Sequence, residues 1–321
     1  MTTSGSTHET TTRVRGLQKD DLAEADRIFR IAFGTFLGLP DPATCFGDAD
    51  YVRTRWGADP EAALVAEVGG ELVGSNFITE WGSVGFFGPL TIRPDFWDRG
   101  IAQRLLEPTL DRLRMRVRHA GLFTFAQSPK HAGLYQKYGF WPRYLTALMA
   151  RQVAQKRPAK SWTRFSELPP QSRQACLKEC AQLTAEIYEG LDLSREIRAV
   201  AGQNLGDTIL LREDDTLVGL AVCHCGAGSE AGTGTCYVKF GAARPGPDAA
   251  RRFDRLVDAC DAFAANRGLG RLLAGMNMAR LEAYQRLLAS GFRTDLQGVA
   301  MEWSDDVGYN RRDVFIIDDW R

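Results

Sequence analysis

The sequence predicts an α/β (α+β) chain built from two consecutive domains of one design. Its 321 residues are long for a single compact core, so two domains are expected. Strand, helix and meander patterns succeed one another in the first half, and the same order returns about 150 residues later. Aligning the pairs Arg93-Pro94 and Arg244-Pro245 brings Leu105 onto Leu256, which indicates an internal duplication.

The composition changes along the chain suggest the domain limits. Residues 1–12 are rich in Ser and Thr and have neither a basic region nor an apolar core, which predicts a disordered tail rather than a signal peptide. We expect a first domain at 13–150 and a second at 163–321. The polar residues 151–162 between them are expected to be a linker.

In the first half, hydrophobic periodicity and Gly/Pro punctuation predict each element in turn. Leu22, Ala25, Ile28 and Phe29 recur at helical spacing after a first strand, and Gly69-Gly70 joins the two strands of a hairpin. In order, the expected elements are strand 12–17, helix 19–38, helix 48–57, hairpin 62–68 and 71–78, strand 83–92, helix 101–119, strand 122–127, helix 128–140 and strand 142–150.

Three details of this half carry specific expectations. Gly88-Pro89 interrupts strand 83–92, which is typical of a bulge. Pro108 lies inside the apolar stripe of helix 101–119 and should kink it. Gly121 is expected to cap the C-terminal end of that helix.

The second half repeats this order. The expected elements are strand 161–168, helix 170–189, hairpin 207–224, strand 234–242, helix 247–268, strand 271–276, helix 277–292 and a last strand in 313–321. Asp214-Asp215 forms the hairpin turn, and Gly291-Phe292 echoes Gly139-Phe140 at the end of the closing helix.

Bulk properties exclude several classes of function. The formal net charge is zero, so nothing points to nucleic acid or to an anionic membrane. No window offers the roughly twenty apolar residues of a membrane span. The seven scattered cysteines fit a reducing cytoplasm better than a disulfide framework.

Cys223, His224 and Cys225 suggest a metal site. On one strand, however, His224 points away from both thiols, so a structural role is expected and no metal is assigned.

The stretch "DFWDRGIAQRLL" places Gly100 where a loop turns into a helix. Unpaired amide groups converge at a helix N-terminus, the helix dipole favours negative charge there, and a missing side chain admits a phosphate. The spacing is neither G-x-G-x-x-G nor a Walker loop, so neither a dinucleotide nor ATP is indicated. Taken alone, a glycine before a helix is also what an ordinary loop provides.

A second motif, "GLYQKYGF", places Tyr135 on a short helix four residues before Gly139. The two motifs in this order, on these elements, resemble the GNAT superfamily of acyl-CoA-dependent N-acyltransferases over residues 13–150. In that family the loop reads Gln/Arg-x-x-Gly-x-Gly/Ala. Here Gly100, Ile101 and Ala102 fit its last three positions, while Trp97 replaces the polar first residue.

The resemblance implies a mixed, mostly antiparallel sheet that splays at the CoA-binding strand, with acetyl-CoA as cosubstrate. The strand is expected to pair with pantetheine and the loop to hold the pyrophosphate, while Ser128 stands where the family often has Asn. The implied binding residues are Leu90, Thr91, Ile92, Trp97, Asp98, Arg99, Gly100, Ile101, Ala102, Gln103 and Ser128.

The resemblance also implies catalytic roles. Tyr135 holds the place of the general acid that protonates the leaving thiolate, with Tyr138 as its rival, and amides around Leu90 would polarise the thioester carbonyl. The central strand carries no carboxylate. Glu80, acting through water, is therefore the candidate base, unless the amine loses its proton to solvent before it binds.

In the second half, Arg251 stands at the position of Gly100, so this copy is expected to lack a functional CoA loop, although Asn277 and Tyr284 keep the family's seven-residue spacing. The second half would instead supply a wall of the acceptor pocket or take the place of the second subunit of a dimer. In the second case the protein would be a monomer whose two halves form an internal pseudo-dimer.

These patterns together predict a cytoplasmic N-acetyltransferase that acts on a primary amine of a small molecule or peptide. A candidate set of aromatic pocket residues is Phe33, Phe36, Trp81, Phe86 and Phe87. Two alternatives are an acyl-CoA sensor without turnover, and a scaffold in which both sites have decayed.

Overall fold

The computed structural model describes residues 11–153, 162–303 and 306–321. The expectations for residues 1–10 and 154–161 lie outside these ranges. Thr12 is the first residue of a strand rather than the last of a tail. Arg151 and Gln152, assigned to the linker, continue a strand because both pair with a neighbouring strand of the second half.

The first half follows the predicted order of elements. Its helices are α1 (Leu22–Phe36), α2 (Val52–Ala58), α3 (Ile101–Arg116) and α4 (Pro129–Gln136). Its strands are β1 (Thr12–Gly16), β2 (Ala63–Val68), β3 (Glu71–Trp81), β4 (Val84–Phe87), β5 (Thr91–Ile92), β6 (His119–Thr124) and β7 (Trp141–Gln152). Gly88-Pro89 separates β4 from β5, as the sequence predicts.

The second half repeats the order with two elements that sequence reasoning missed, α6 and β13. Its helices are α5 (Pro170–Ala185), α6 (Ser194–Gly202), α7 (Ala249–Asn266) and α8 (Leu281–Ala289). Its strands are β8 (Trp162–Arg164), β9 (Gly206–Glu213), β10 (Thr216–Gly226), β11 (Gly232–Ala243), β12 (Arg271–Asn277), β13 (Arg293–Glu302) and β14 (Ile316–Ile317).

The end of α3 differs from the prediction. The helix continues through Pro108 and ends at Arg116, and Gly121 lies inside β6 instead of capping the helix. A Cβ atom on Gly121 would come within 2.3 Å of the ring of Trp320, so the glycine admits a tryptophan from the other end of the chain. The residue type reflects close packing rather than helix termination.

All the described strands join one sheet, in which each half lends one strand to the other: β7 of the first half and β13 of the second. The main order is β1-β2-β3-β4-β6-β13-β7-β12-β11-β10-β9-β8. β13 inserts between β6 and β7, and β7 pairs with β12. The predicted limits at 150 and 163 therefore follow the order of elements but not the sheet, because each half borrows a strand from beyond that boundary.

An apolar core joins the two halves beside the exchanged strands. Trp81 and Phe86 of the first half pack with Phe240 and Trp320 of the second, with the Trp81 and Phe240 ring centroids 5.2 Å apart. All four side chains are at most 4% exposed. Burial on this scale is typical of a domain interior, so the halves form one folded body.

The sheet also places the Cys-His-Cys triplet. The Cys225 Sγ atom lies 3.8 Å from Cys236 Sγ, whereas the ring of His224 lies beside Glu196 and accepts a hydrogen bond from the Glu230 amide. The thiols of Cys223 and Cys225 thus face away from His224, as strand alternation predicts. Among the described residues, no helix has both the length and the apolar character needed to cross a membrane.

We expect that neither half folds alone. A fragment ending at residue 153 leaves one edge of β6 and both edges of β7 without partners, which favours aggregation. Circular dichroism during heating should show no cooperative transition for fragments 1–153 or 154–321 alone, but a transition for the two co-expressed. A control chain cleaved at a protease site inserted within 154–161 should stay assembled on size exclusion. A native-like transition in fragment 1–153 alone would contradict the exchange.

Candidate active site

A cavity of about 750 Å³ opens where β4 and β6 diverge. The two strands run parallel and pair only from Val84 with His119 to Phe86 with Gly121. Beyond the last pair, Phe87–Ile92 on one side and Phe123–Phe125 on the other line the cavity. The splay exposes main-chain groups that would otherwise be paired in the sheet, so it creates a groove able to hydrogen-bond an extended ligand.

Gly100 lies at one end of this cavity as the N-cap of α3, with φ +76°. The amides of Gln103 and Arg104 donate to its carbonyl oxygen. The amides of Ile101 and Ala102 precede the first turn, so no intrahelical carbonyl reaches them, and both residues line the cavity. The positive end of the helix dipole and two amide groups thus face a space suited to a phosphate.

The contacts of Trp97 explain why a tryptophan can replace the polar first residue of the loop motif. Its Nε1 atom donates to the Ile92 carbonyl oxygen at 2.7 Å, which ties the loop to the end of β5. Lys130 reaches across from the start of α4 to form a 2.6 Å ion pair with Asp98. Lys130 and Lys137 both line the cavity, and Asp98 balances the charge of Lys130.

Ten of the eleven binding residues implied by the resemblance line this one cavity. The exception is Arg99, which is exposed and stacks its guanidinium on Phe96, 4.7 Å from the ring centroid. Ser128 is buried and caps α4, its hydroxyl accepting from the His131 amide at 3.4 Å. The structure therefore brings the implied residues together around one cavity, apart from Arg99, which is not part of its lining.

Tyr135 lies on the cavity wall, 9% exposed, with its ring edge-on to Phe87 at 5.7 Å. Burial raises the pKa of its phenol above the ordinary value, so the hydroxyl stays protonated at neutral pH. Tyr138, on the same chain segment, is absent from the cavity lining and more exposed. The geometry favours Tyr135 over its rival as a proton donor.

Glu80 is not brought to this cavity. Its carboxylate pairs with Arg112 at 2.6 Å and with Arg195 at 3.8 Å, on the side of the sheet where α3 packs. Burial alone would raise the pKa of Glu80, but Arg112 and the other nearby arginines lower it. The group is a fixed anion in a structural network, and the prediction of a catalytic base at Glu80 has no geometric support.

The far end of the cavity is aromatic. Among the predicted aromatic residues, Phe33, Phe36 and Phe87 line it, whereas Trp81 and Phe86 belong to the core between the halves. Sequence reasoning missed several further lining residues, namely Phe29, Phe46, Tyr51, Phe125, His131, Trp320 and Arg321. Trp320 and Arg321 come from the last described segment, and no local pattern indicates that this segment reaches the first half.

The equivalent cleft in the second half is filled by the chain itself. β11 and β12 pair in parallel only from Thr235 to Val238, which matches the splay of β4 and β6. Beyond that point, β14 pairs with β11 at Gly241 and Ala242 and contacts β12. The second cleft is thus occupied by a strand where the first holds a cavity.

The loop motif of the second half is also engaged elsewhere. Arg251 pairs with Glu213 at 3.1 Å and with Asp248 at 3.3 Å. Asn277 accepts a hydrogen bond from the Ala279 amide, and Tyr284 packs against the core of the second half. These contacts serve the fold, although the residues keep the spacing of the family motif.

Comparison with known proteins agrees with this geometry. Residues 27–140 match the acetyltransferase (GNAT) family. A putative acetyltransferase from Pyrococcus horikoshii is 15% identical with TM-score 0.67, over 96% of this chain and 95% of that one. A tandem GNAT protein from the clavulanic acid biosynthesis pathway is 14% identical with TM-score 0.55, over 91% of this chain and 98% of that one. No curated protein matches the chain.

The family match supports an acyltransferase, and the fold consists of two similar domains in tandem. Residues 27–140 carry the match to the GNAT family, which supports N-acetyltransferase activity in general, and the chain as a whole has the tandem GNAT fold. The family generally uses acetyl-CoA and an amine acceptor.

We expect Gly100→Arg to abolish binding of acetyl-CoA. The residue would carry a bulky side chain at φ +76° where phosphate must approach the amides of Ile101 and Ala102. In calorimetric titration the wild type should bind one acetyl-CoA per chain, because β14 fills the second cleft. The variant should bind at least about a hundredfold more weakly, a loss of roughly 3 kcal/mol.

Gly268→Arg is the matched control for this variant, since Gly268 is exposed at φ +69° with open space around it and lies far from the cavity in the second half. It should keep full affinity. Unchanged affinity in Gly100→Arg would refute the phosphate site, and two binding sites in the wild type would show that the second cleft opens.

Proposed function

We propose that the N-terminal half transfers an acetyl group from acetyl-CoA directly to a primary amine of a small molecule or peptide. One observation carries the proposal: a single cavity connects the amides at the start of α3, the open main chain of β4–β5, Tyr135 and an aromatic end. These are the parts that direct acyl transfer requires, in the order in which an extended thioester and its acceptor would meet them.

The residues present fit acetyl-CoA as a bound cosubstrate. The Ile101 and Ala102 amides, with Lys130 and Lys137 nearby, would hold the pyrophosphate. The main chain of Leu90 to Ile92 would align the pantetheine. The thioester itself supplies the activated acetyl group, and the protein supplies its orientation and the placement of charge.

In the transfer step, the amine nitrogen bonds to the thioester carbonyl carbon and the carbon–sulfur bond breaks. The Leu90 amide stabilises the negative charge that develops on the carbonyl oxygen. Tyr135 gives its proton to the departing sulfur, and the proton lost by the nitrogen returns through water to the phenolate. Tyr135 thus ends the step with its proton restored, and the step uses no metal ion.

The aromatic end supports an acceptor with an apolar body. Phe29, Phe33 and Phe46 pack against one another with centroids 5.0–5.4 Å apart, and Phe36 lies 5.1 Å from Phe125. Among the described lining residues Asp98 carries the only side-chain carboxylate, and Lys130 already pairs with it at the phosphate end. An arylalkylamine fits this lining better than a polycation does.

We expect Tyr135→Phe to lower kcat at least tenfold, because general acid help is typically worth roughly 10²–10⁴ in rate. The affinity for coenzyme A should stay within about threefold, since the hydroxyl contributes to the leaving step rather than to binding. The assay is thiol release from acetyl-CoA in the presence of 2-phenylethylamine and related primary amines.

Tyr138→Phe is the matched control and should behave as the wild type. A loss of turnover in Tyr138→Phe instead would reassign the proton donor. Tight coenzyme A binding without amine-dependent thiol release across the amine series would identify a sensor rather than an enzyme.

The pH dependence of kcat/KM should rise towards the pKa of the acceptor amine and then level off. Without a side-chain carboxylate at the reaction end of the described lining, the amine has to react in its neutral form. Burial raises the pKa of Tyr135, so the acid remains protonated and no descending limb should appear below pH 10. Stopped-flow rates between pH 6 and 10 test this expectation.

A catalytic base at His131 would give a different pH profile. It lies on the cavity wall, and its ring centroid is 4.9 Å from that of Phe36. Burial lowers the pKa of its imidazole, and the charge of Lys130 lowers it further. A rising limb centred below pH 6.5 that disappears in His131→Ala would make His131 the base and contradict entry of a neutral amine.

A further inference from the structure

A buried charge cluster joins the two halves near Leu90–Ile92, the segment that we term the acyl-transfer strand. It consists of Arg55 on α2, Glu230 in the β10–β11 loop, Lys239 on β11 and Glu196 on α6. Arg55 Nε lies 3.1 Å from Glu230 Oε1, and Lys239 Nζ lies 2.8 Å from Glu230 and 3.0 Å from Glu196. Each side chain is at most 6% exposed.

The cluster contains two cations and two anions, so its net charge is zero. Although burial by itself raises the pKa of each carboxyl group, Arg55 and Lys239 hold the pKa of Glu230 far below its ordinary value, and Lys239 holds that of Glu196 at about 2. A complete cluster keeps each buried charge compensated, whereas the loss of one member leaves another unpaired.

Arg55 also extends beyond this cluster to the wall of the cavity. Its Nη1 atom donates to the carbonyl oxygen of Gly88, and its Nη2 atom donates to that of Arg321. Gly88 and Arg321 both line the cavity. The planar guanidinium supplies donors on three nitrogens in fixed directions, which one ammonium group does not match.

The contact with Gly88 matters because this glycine lies just before the acyl-transfer strand. Gly88 is two residues before Leu90, and its own amide donates to the Phe77 carbonyl oxygen at 2.8 Å. On the far side of Leu90, β5 is anchored to β3 through Thr91 and Ile92. The main chain at Leu90 is therefore held on both sides, and the hydrogen bond from Arg55 is one of the two that hold Gly88.

Side-chain packing does not replace that anchor. Gly88 has φ +138°, and a Cβ atom placed on it would find no heavy atom within 4 Å. Leu90 packs against the core on the far side, so at Gly88 itself the hydrogen bonds to its two peptide groups decide where the main chain lies. Loss of the bond from Arg55 would free the Gly88 carbonyl and the peptide that leads towards Leu90.

We propose that Arg55, oriented by Glu230 of the second half, is a positioning residue that holds the main chain at Gly88 so that the Leu90 amide faces the thioester carbonyl. The inference rests on the proposed function of the first half. It assigns the second half a part in the reaction, because the group that aims Arg55 belongs to that half. Arg55 itself touches neither the acetyl group nor the amine.

The test combines a spectroscopic signature with binding and turnover. Isotope-edited infrared spectra of acetyl-CoA labelled with ¹³C at the acetyl carbonyl report the hydrogen bond to the thioester oxygen. In the wild type the carbonyl band should shift to lower frequency on binding. In Arg55→Gln most of that shift should vanish and kcat should fall at least tenfold, while the affinity for coenzyme A stays within about threefold.

Two further variants separate positioning from general stability. Arg55→Lys retains one charge and one donor direction, so its carbonyl shift and kcat should be intermediate. Arg151→Gln is the matched control, since Arg151 on β7 forms another largely buried ion pair between the halves, with Asp261 on α7 at 3.2 Å, and neither residue lines the cavity. It should lower the melting temperature and leave the carbonyl shift unchanged.

The outcomes distinguish this proposal from the function on which it rests. A normal carbonyl shift and normal kcat in folded Arg55→Gln would overturn the positioning role. Equal loss of shift in Arg151→Gln would also overturn it, because the effect would then follow from stability. A wild-type shift that depends on Arg55, without turnover of any amine, would support the positioning role and reject the proposed reaction.

Discussion

The antiparallel pairing of β7 with β13 is the contact on which the rest of this structure depends. β7 is the last strand of the first half but lies beside β12 of the second, and β13 of the second half lies beside β6 of the first. The fourteen strands of the described residues thus form one sheet, and neither half completes its sheet alone. Because strand register fixes which side chains face the core, this pairing also sets how the two halves face each other.

The exchange determines where the final described segment can go. After β13 the chain returns along the interface, and β14 enters the splay of β11 and β12. Asp319 lies against Gly275, where a Cβ atom would come within 2.2 Å of its carboxylate, and Trp320 covers Gly121 on β6. One segment of the chain therefore fills the cleft of the second half and forms part of the cavity wall in the first.

Local sequence patterns predict the parts of the molecule that depend on local physics. The Gly69-Gly70 hairpin, the interruption at Gly88-Pro89, Gly100 at the start of α3 and Tyr135 on α4 all follow from turn chemistry, helix ends or motif spacing, and the structure has each where the sequence places it. The resemblance to one family then joins two of them in a single cavity, which periodicity alone does not do.

The features that sequence reasoning missed depend on distant partners. Alternation predicts that Glu80 lies near a strand end, but not that three arginines surround it. Gly121 looks like a helix cap because the tryptophan that requires a glycine there is 199 positions away in sequence. The strand exchange leaves no local mark, since nothing within β7 or β13 indicates which strand will lie beside it.

The charge cluster connects the exchange to the chemistry. Glu230 meets Arg55 only when the halves face each other in this register. A shift of the interface would separate Arg55 from Glu230, Lys239 and Glu196, and the buried charges on the two sides would then no longer balance. Such a misalignment is costly in a medium of low polarity, so the cluster selects one arrangement among the ways two similar halves can pack. Because Arg55 also holds Gly88, the arrangement that satisfies the charges is the one that positions the acyl-transfer strand. A second half without an open cleft of its own thereby remains necessary to the first.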